Sequence, residues 1–85
     1  MSDYYLILGV EPDAKTETIQ ERFRFLANAF HPDRYSSLKQ KKLAEEEFKK
    51  INEAYQVLSD PHKRADYDLK RKNVFSYSRT NDTDL

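Results

Sequence analysis

The sequence predicts an all-α domain of four helices, with the second and third folded against each other as an antiparallel hairpin. Three observations carry this. Ile19, Phe23, Leu26, Ala27 and Phe30 recur at helical spacing and draw one apolar stripe. Ala44, Phe48, Ile51, Ala54, Tyr55 and Leu58 draw a second stripe of the same period, and two such stripes bury each other only when their helices lie side by side. Between them stands Pro32, which has no backbone N–H and pushes the residue before it out of the helical region, so the helix carrying the first stripe must end there. His31, Pro32 and Asp33 are therefore expected at the exposed tip of the hairpin.

Each element has its own local signals. Ser2 or Asp3 can accept from the free N–H groups of a short helix over Tyr4, Tyr5, Leu6, Ile7 and Leu8. Gly9, the only glycine in the chain, would close it in a left-handed conformation at no steric cost. Glu11-Pro12-Asp13 reads as a connector. The second helix then starts at Thr16, with Thr16 the expected N-cap, Asp13 its competitor and Glu17 suited to the positive end of the helix dipole, and it runs to Phe30. Tyr35 to Gln40 lacks periodicity and reads as a loop, in which Ser36 or Ser37 can cap the third helix. Within that helix, Glu45, Glu46 and Glu47 precede Lys49 and Lys50 at the spacing of a solvated, ion-paired face. Ser59-Asp60-Pro61 ends it and starts a short fourth helix through Leu69, since Asp60 is a good N-cap and proline suits the first helical position. Residues 1–72 form the domain. Residues 73–85, rich in Ser, Thr, Asn and Asp, read as a flexible C-terminal tail or the start of a linker.

Composition narrows the function. Eighty-five residues, 38% hydrophobic and 35% charged, make one small domain with a modest core and no room for a buried substrate cavity, which disfavours an enzyme. Fifteen basic and fifteen acidic side chains cancel, so no global field recruits nucleic acid or an anionic membrane. The absence of cysteine removes disulfides and thiolate chemistry and fits a reducing compartment. No apolar run approaches the roughly 20 residues of a membrane span, and a cytoplasmic location is expected. A nucleic-acid site using Lys39, Lys41, Lys42, Lys49, Lys50, Lys70, Arg71 and Lys72 would lack an aromatic stacking platform. A metal or catalytic site from His31, Asp33 and His62 would lack a clear third ligand. No cofactor and no metal are expected.

On the outer face of the second helix, Arg24 and Phe25 point away from the stripe and Arg22 lies at its flank. An exposed Phe25 is either an ordinary surface group or, beside two arginines and one turn from the tip, part of an interface. His31, Pro32 and Asp33 have equally plain alternatives as a helix-end group, a helix stop and a loop cap.

Several motifs in collinear order decide between these. Asp3-Tyr4-Tyr5-Leu6-Ile7-Leu8-Gly9-Val10, Leu26-Ala27 ahead of Phe30-His31-Pro32-Asp33-Arg34, Phe48 through Pro61 with Lys50-Ile51-Asn52-Glu53-Ala54-Tyr55, then Lys63-Arg64 and Tyr67-Asp68 resemble the J-domain of the DnaJ family over roughly residues 3 to 70. The resemblance implies a four-helix fold with an antiparallel hairpin of its second and third helices. It also implies a co-chaperone that binds a DnaK-type ATPase and accelerates its ATP hydrolysis, without being an enzyme itself. His31, Pro32 and Asp33 match the signature, whose aspartate engages an arginine of the partner in that family. Arg34 follows the family pattern, and Arg22, Arg24 and Phe25 are candidates for the same partner surface. Client proteins would be reached only indirectly, since no Gly/Phe-rich region or cysteine zinc module follows. Two departures stand out. Gln20, Phe25 and Ala29 occupy positions often basic in the family, and the segment after Arg34 is longer than in compact members, filled by Ser36, Ser37, Leu38 and lysines.

Overall fold

The structure is a computed structural model that describes the backbone of residues 3–84 and the side chains of residues 3–72. Its helices are α1 (Tyr4–Leu8), α2 (Thr16–Ala29), α3 (Leu38–Leu58) and α4 (Pro61–Asp84), with a 3₁₀ turn at Pro32–Arg34 between α2 and α3.

α1 has only five residues, too few to persist without both caps and burial. The Asp3 carboxylate accepts from the Tyr5 and Leu6 N–H groups at one end, and Gly9 closes the other at φ 69°. Gly9 is held to glycine for a second reason. A Cβ there would lie 3.1 Å from Nη2 of Arg22, whose Nε donates to the Leu8 carbonyl at 2.7 Å.

α2 begins at Thr16, but Thr16 is its first helical residue and not its cap. Lys15 holds the cap position with no side-chain hydrogen bond, leaving Glu17 as the favourable first-turn charge. The helix ends at Ala29, one residue earlier than expected, with Phe30 as the cap residue. α3 starts at Leu38 because Ser37 Oγ accepts from the Gln40 N–H at 3.1 Å. The residues that lengthen this segment therefore extend α3 by part of a turn, and the loop itself stops at Ser37. Asp60 caps α4 by accepting from the His62 and Lys63 N–H groups at 2.9 and 3.2 Å, and these two bonds hold its carboxyl below the ordinary range. α4 runs well past Leu69, to Asp84, since no glycine or proline follows Pro61 to stop it. The flexible tail expected over 73–85 lies outside the residues whose side chains are described.

The register of α2 on α3 is antiparallel: Phe23 stacks on Tyr55 with centroids 4.0 Å apart, and eight residues on, His31 meets Phe48, seven residues before Tyr55. Ile19 and Leu26 from α2 and Ile51, Ala54 and Leu58 from α3 are buried together with Tyr5 and Leu8 of α1 and Tyr67 of α4. Tyr5 ties α1 to α4. Its hydroxyl donates to the Asp68 carboxylate and accepts from Arg64 Nε at 3.2 Å. Burial pushes this phenol up, the bond to Asp68 adds to the rise, and Arg64 opposes it. Arg64 also donates to the carbonyls of Pro12 and Ala14 at 3.1 and 2.7 Å, and Arg71 pairs with Asp3 at 3.2 Å. These arginines clamp α4 to α1 and the connector.

Candidate functional site

The tip is built from the way α2 is forced to end. A continuing helix would satisfy the Asn28 carbonyl with the N–H of residue 32 and the Ala29 carbonyl with that of residue 33. Pro32 has no such N–H, and the Asp33 N–H is turned instead to Nδ1 of His31 at 3.2 Å. Side chains just past the tip take both vacated places. Arg34 Nη1 donates to the Asn28 carbonyl at 3.3 Å, and the Tyr35 hydroxyl donates to that of Ala29 at 2.8 Å. The intervening residues close into a 3₁₀ turn, with Arg34 N–H on the His31 carbonyl at 3.0 Å and Tyr35 N–H on that of Pro32 at 3.1 Å.

This arrangement leaves Asp33 outside every internal bond except the one from its backbone. Its side chain is 91% exposed, and the nearest imidazole nitrogen, His31 Nδ1, lies 3.8 Å from Oδ2, beyond hydrogen-bond distance. The imidazole is half exposed and meets the edge of Phe48 at 6.0 Å and 80°. Phe48 thus departs from its expected place in the core: it is half-buried beneath the tip, because the residue facing it across the hairpin is His31 and not a member of the apolar stripe.

On the outer face of α2 the three candidates separate. Phe25 is 61% exposed, as its position on the helix predicts. Arg24 is exposed to solvent. Arg22 is half-buried, bonded to the α1 terminus through Leu8, with its guanidinium 5.2 Å from the Phe25 ring centroid. Two of the three therefore form a fixed cation–π pair, and Arg24 is the extended cation of this face.

A family model for the DnaJ domain matches residues 3–68. The chain belongs to the DnaJ domain family. Over 66 residues it is 56% identical to the chaperone protein DnaJ of Thermosipho melanesiensis, covering 78% of this chain and 17% of that one. It is 49% identical over 82 residues to the chaperone protein DnaJ of Campylobacter hominis, covering 96% of this chain and 22% of that one. The chain thus spans about a fifth of the length of the curated relatives it matches. The crystal structure of the J-domain of the DnaJ homologue dnj-2 precursor from C. elegans superposes with a TM-score of 0.76 at 30% identity, covering 93% of this chain and 86% of that one. The solution structure of the J-domain of a mouse DnaJ-like protein gives 0.75 at 26% identity, with 81% and 77% covered.

In this J-domain the chemistry available at the tip is recognition. An exposed carboxylate on a short, internally bonded turn suits a guanidinium, which it can accept in two parallel bonds. Among the described residues no group of three or more His, Cys, Asp or Glu side chains is placed to hold a metal. Sequence reasoning names His31, Pro32, Asp33 and Arg34 as candidates, which the structure places together at the tip, and it does not name the side chains that support them. Phe48 reads as core because it keeps the period of the α3 stripe. Tyr35 carries no signal by spacing: the carbonyl that Pro32 must orphan is that of Asn28, which Arg34 takes, and the Ala29 carbonyl is opened only because the Asp33 N–H turns to His31.

Proposed function

We propose that this J-domain binds a DnaK-type ATPase and stimulates its ATP hydrolysis through His31, Pro32 and Asp33, promoting client capture by that partner. Membership of the DnaJ family supports the reading, and the observation that carries it is the exposed Asp33 carboxylate on a turn closed by Arg34 and Tyr35. A carboxylate that bonds a partner arginine in only one of the partner's two arrangements shifts the partner toward that arrangement by its differential affinity. The J-domain supplies no reacting group. It acts as an activator of the partner ATPase, with Arg34 in the turn and Arg22, Arg24 and Phe25 on α2 extending the contact. Among the described residues no helix is long and apolar enough to cross a membrane, and the proposed site of action is the cytoplasm. Single-turnover ATP hydrolysis by a DnaK-type partner, with and without the chain, tests the function: an unchanged rate at saturating chain refutes it.

The α2 face makes a prediction about the mode of encounter. With Phe25 where a further base would stand, association draws more on short-range apolar contact and less on long-range attraction. Phe25→Arg should raise the association rate at low ionic strength and steepen its decline with salt, because steering by local charge is screened beyond about 10 Å at 0.1 M. Arg24→Glu should act in the opposite sense with the tip intact. A salt series of association rates checks both, and an unchanged slope for Phe25→Arg removes this face from the interface.

We also propose that the functional domain closes at residue 72. Among the described residues, Tyr5 with Asp68 and Asp3 with Arg71 tie α4 to α1. A chain ending after Lys72 should keep its melting midpoint and its full stimulation of the partner, as a thermal melt and the single-turnover assay would report.

A further inference from the structure

We propose that Tyr35 is a positioning residue for the tip, holding His31, Pro32 and Asp33 in their working conformation through the bond from its hydroxyl to the Ala29 carbonyl. This rests on the function proposed above and names a residue that acts in it without touching the partner. The argument is one of closure. Pro32 breaks the α2 ladder, so nothing in the backbone itself links the last turn of α2 to the residues beyond the tip. Tyr35 supplies that link from the far side of the 3₁₀ turn: its N–H donates to the Pro32 carbonyl at 3.1 Å and its hydroxyl to Ala29 at 2.8 Å.

Its ring sits where α2, the turn and α3 converge. Tyr35 is half-buried and lines a small, largely apolar cavity of about 160 Å³ with Phe30 at the end of α2 and Leu43 and Ala44 in α3. Its bonds therefore link the end of α2 to the turn, beside α3. The other strap, from Arg34 to Asn28, is longer at 3.3 Å and exposed, where water competes for the same carbonyl. The partly buried phenol is the stronger of the two, and the tip between Ala29 and Tyr35 is a loop fastened at both ends.

A fastened loop binds better than an open one because a partner that recognises one conformation sees only the fraction of chains that adopt it. Tyr35→Phe keeps the ring and deletes the strap. In the free chain, water exchange at the Arg34 and Tyr35 amides, followed by NMR, should accelerate about two- to tenfold, the range for one lost hydrogen bond of this kind. The half-saturating concentration in the single-turnover assay with a DnaK-type partner should rise by a similar factor, with the plateau stimulation unchanged. A loss of global stability alone would leave half-saturation unmoved, since nearly all chains stay folded well below the melting midpoint.

Unchanged amide exchange overturns the proposal, and with raised half-saturation it would mean that the hydroxyl touches the partner directly. Faster exchange with unmoved half-saturation also overturns it, because the strap would then not serve recognition. If the unsubstituted chain fails to stimulate the partner at all, the function proposed above falls, while the exchange rates still decide whether Tyr35 holds the tip.

Discussion

Asp33→Asn should abolish stimulation of a DnaK-type ATPase while leaving the fold of this J-domain intact. The substitution removes one charge and keeps the shape of the side chain. Asparagine can offer a guanidinium one acceptor oxygen where the carboxylate offers two, and it forfeits charge assistance, which roughly doubles the strength of such bonds. Nothing inside the chain depends on the carboxylate: the bond that closes the turn comes from the Asp33 backbone N–H, and the side chain is 91% exposed. The melting midpoint should therefore stay within about a degree or two, as expected of a surface change away from any buried partner. His31→Gln should also abolish stimulation, through loss of the ring that both caps the turn and rests on Phe48. Thermal melts and single-turnover hydrolysis measured on the same samples separate the two roles, and a large drop in midpoint for Asp33→Asn would make the tip structural.

Ile51→Ala should have the opposite signature. Ile51 is 2% exposed, within the cluster where α1, α2, α3 and α4 meet. Truncating a buried isoleucine to alanine costs about 2–5 kcal/mol, through lost transfer energy and the cavity left behind. For a domain of this size, with total stability on the order of 5–10 kcal/mol, that is a fall in melting midpoint of roughly 10 °C or more. Phe48→Ala should cost less, despite the larger group removed, because Phe48 is half-buried and packs on His31 instead of in the central cluster. Its effect should appear chiefly in ATPase stimulation. Equal destabilisation by the two substitutions would show that the core extends to the tip.

The sequence by itself determined the elements that depend on neighbours along the chain. The two apolar stripes fixed α2 and α3 and forced them together, Gly9 closed α1, Pro32 ended α2, and Asp60-Pro61 opened α4, because period, a missing N–H and a left-handed turn are all local properties. The same locality placed His31, Pro32 and Asp33 at the tip and left Phe25 outside. Local signals do not decide where the partner is distant in sequence or where several local choices are nearly equal in energy. Thr16 looked like a cap, yet the helix began there with no side-chain cap at all. Phe48 kept the stripe's period, but only the register across the hairpin shows that it faces His31. Spacing alone assigns Arg22 and Arg64 no bonding partner, and the fold turns one to the Leu8 carbonyl and the other to Tyr5, Pro12 and Ala14. A long flexible cation can satisfy any carbonyl within reach, so its partner is chosen by which backbone groups the packing leaves unpaired. Tyr35 follows the same rule. Sequence places a phenol after the tip, and tertiary structure alone brings it within 2.8 Å of the carbonyl that Pro32 and the turned Asp33 amide leave open.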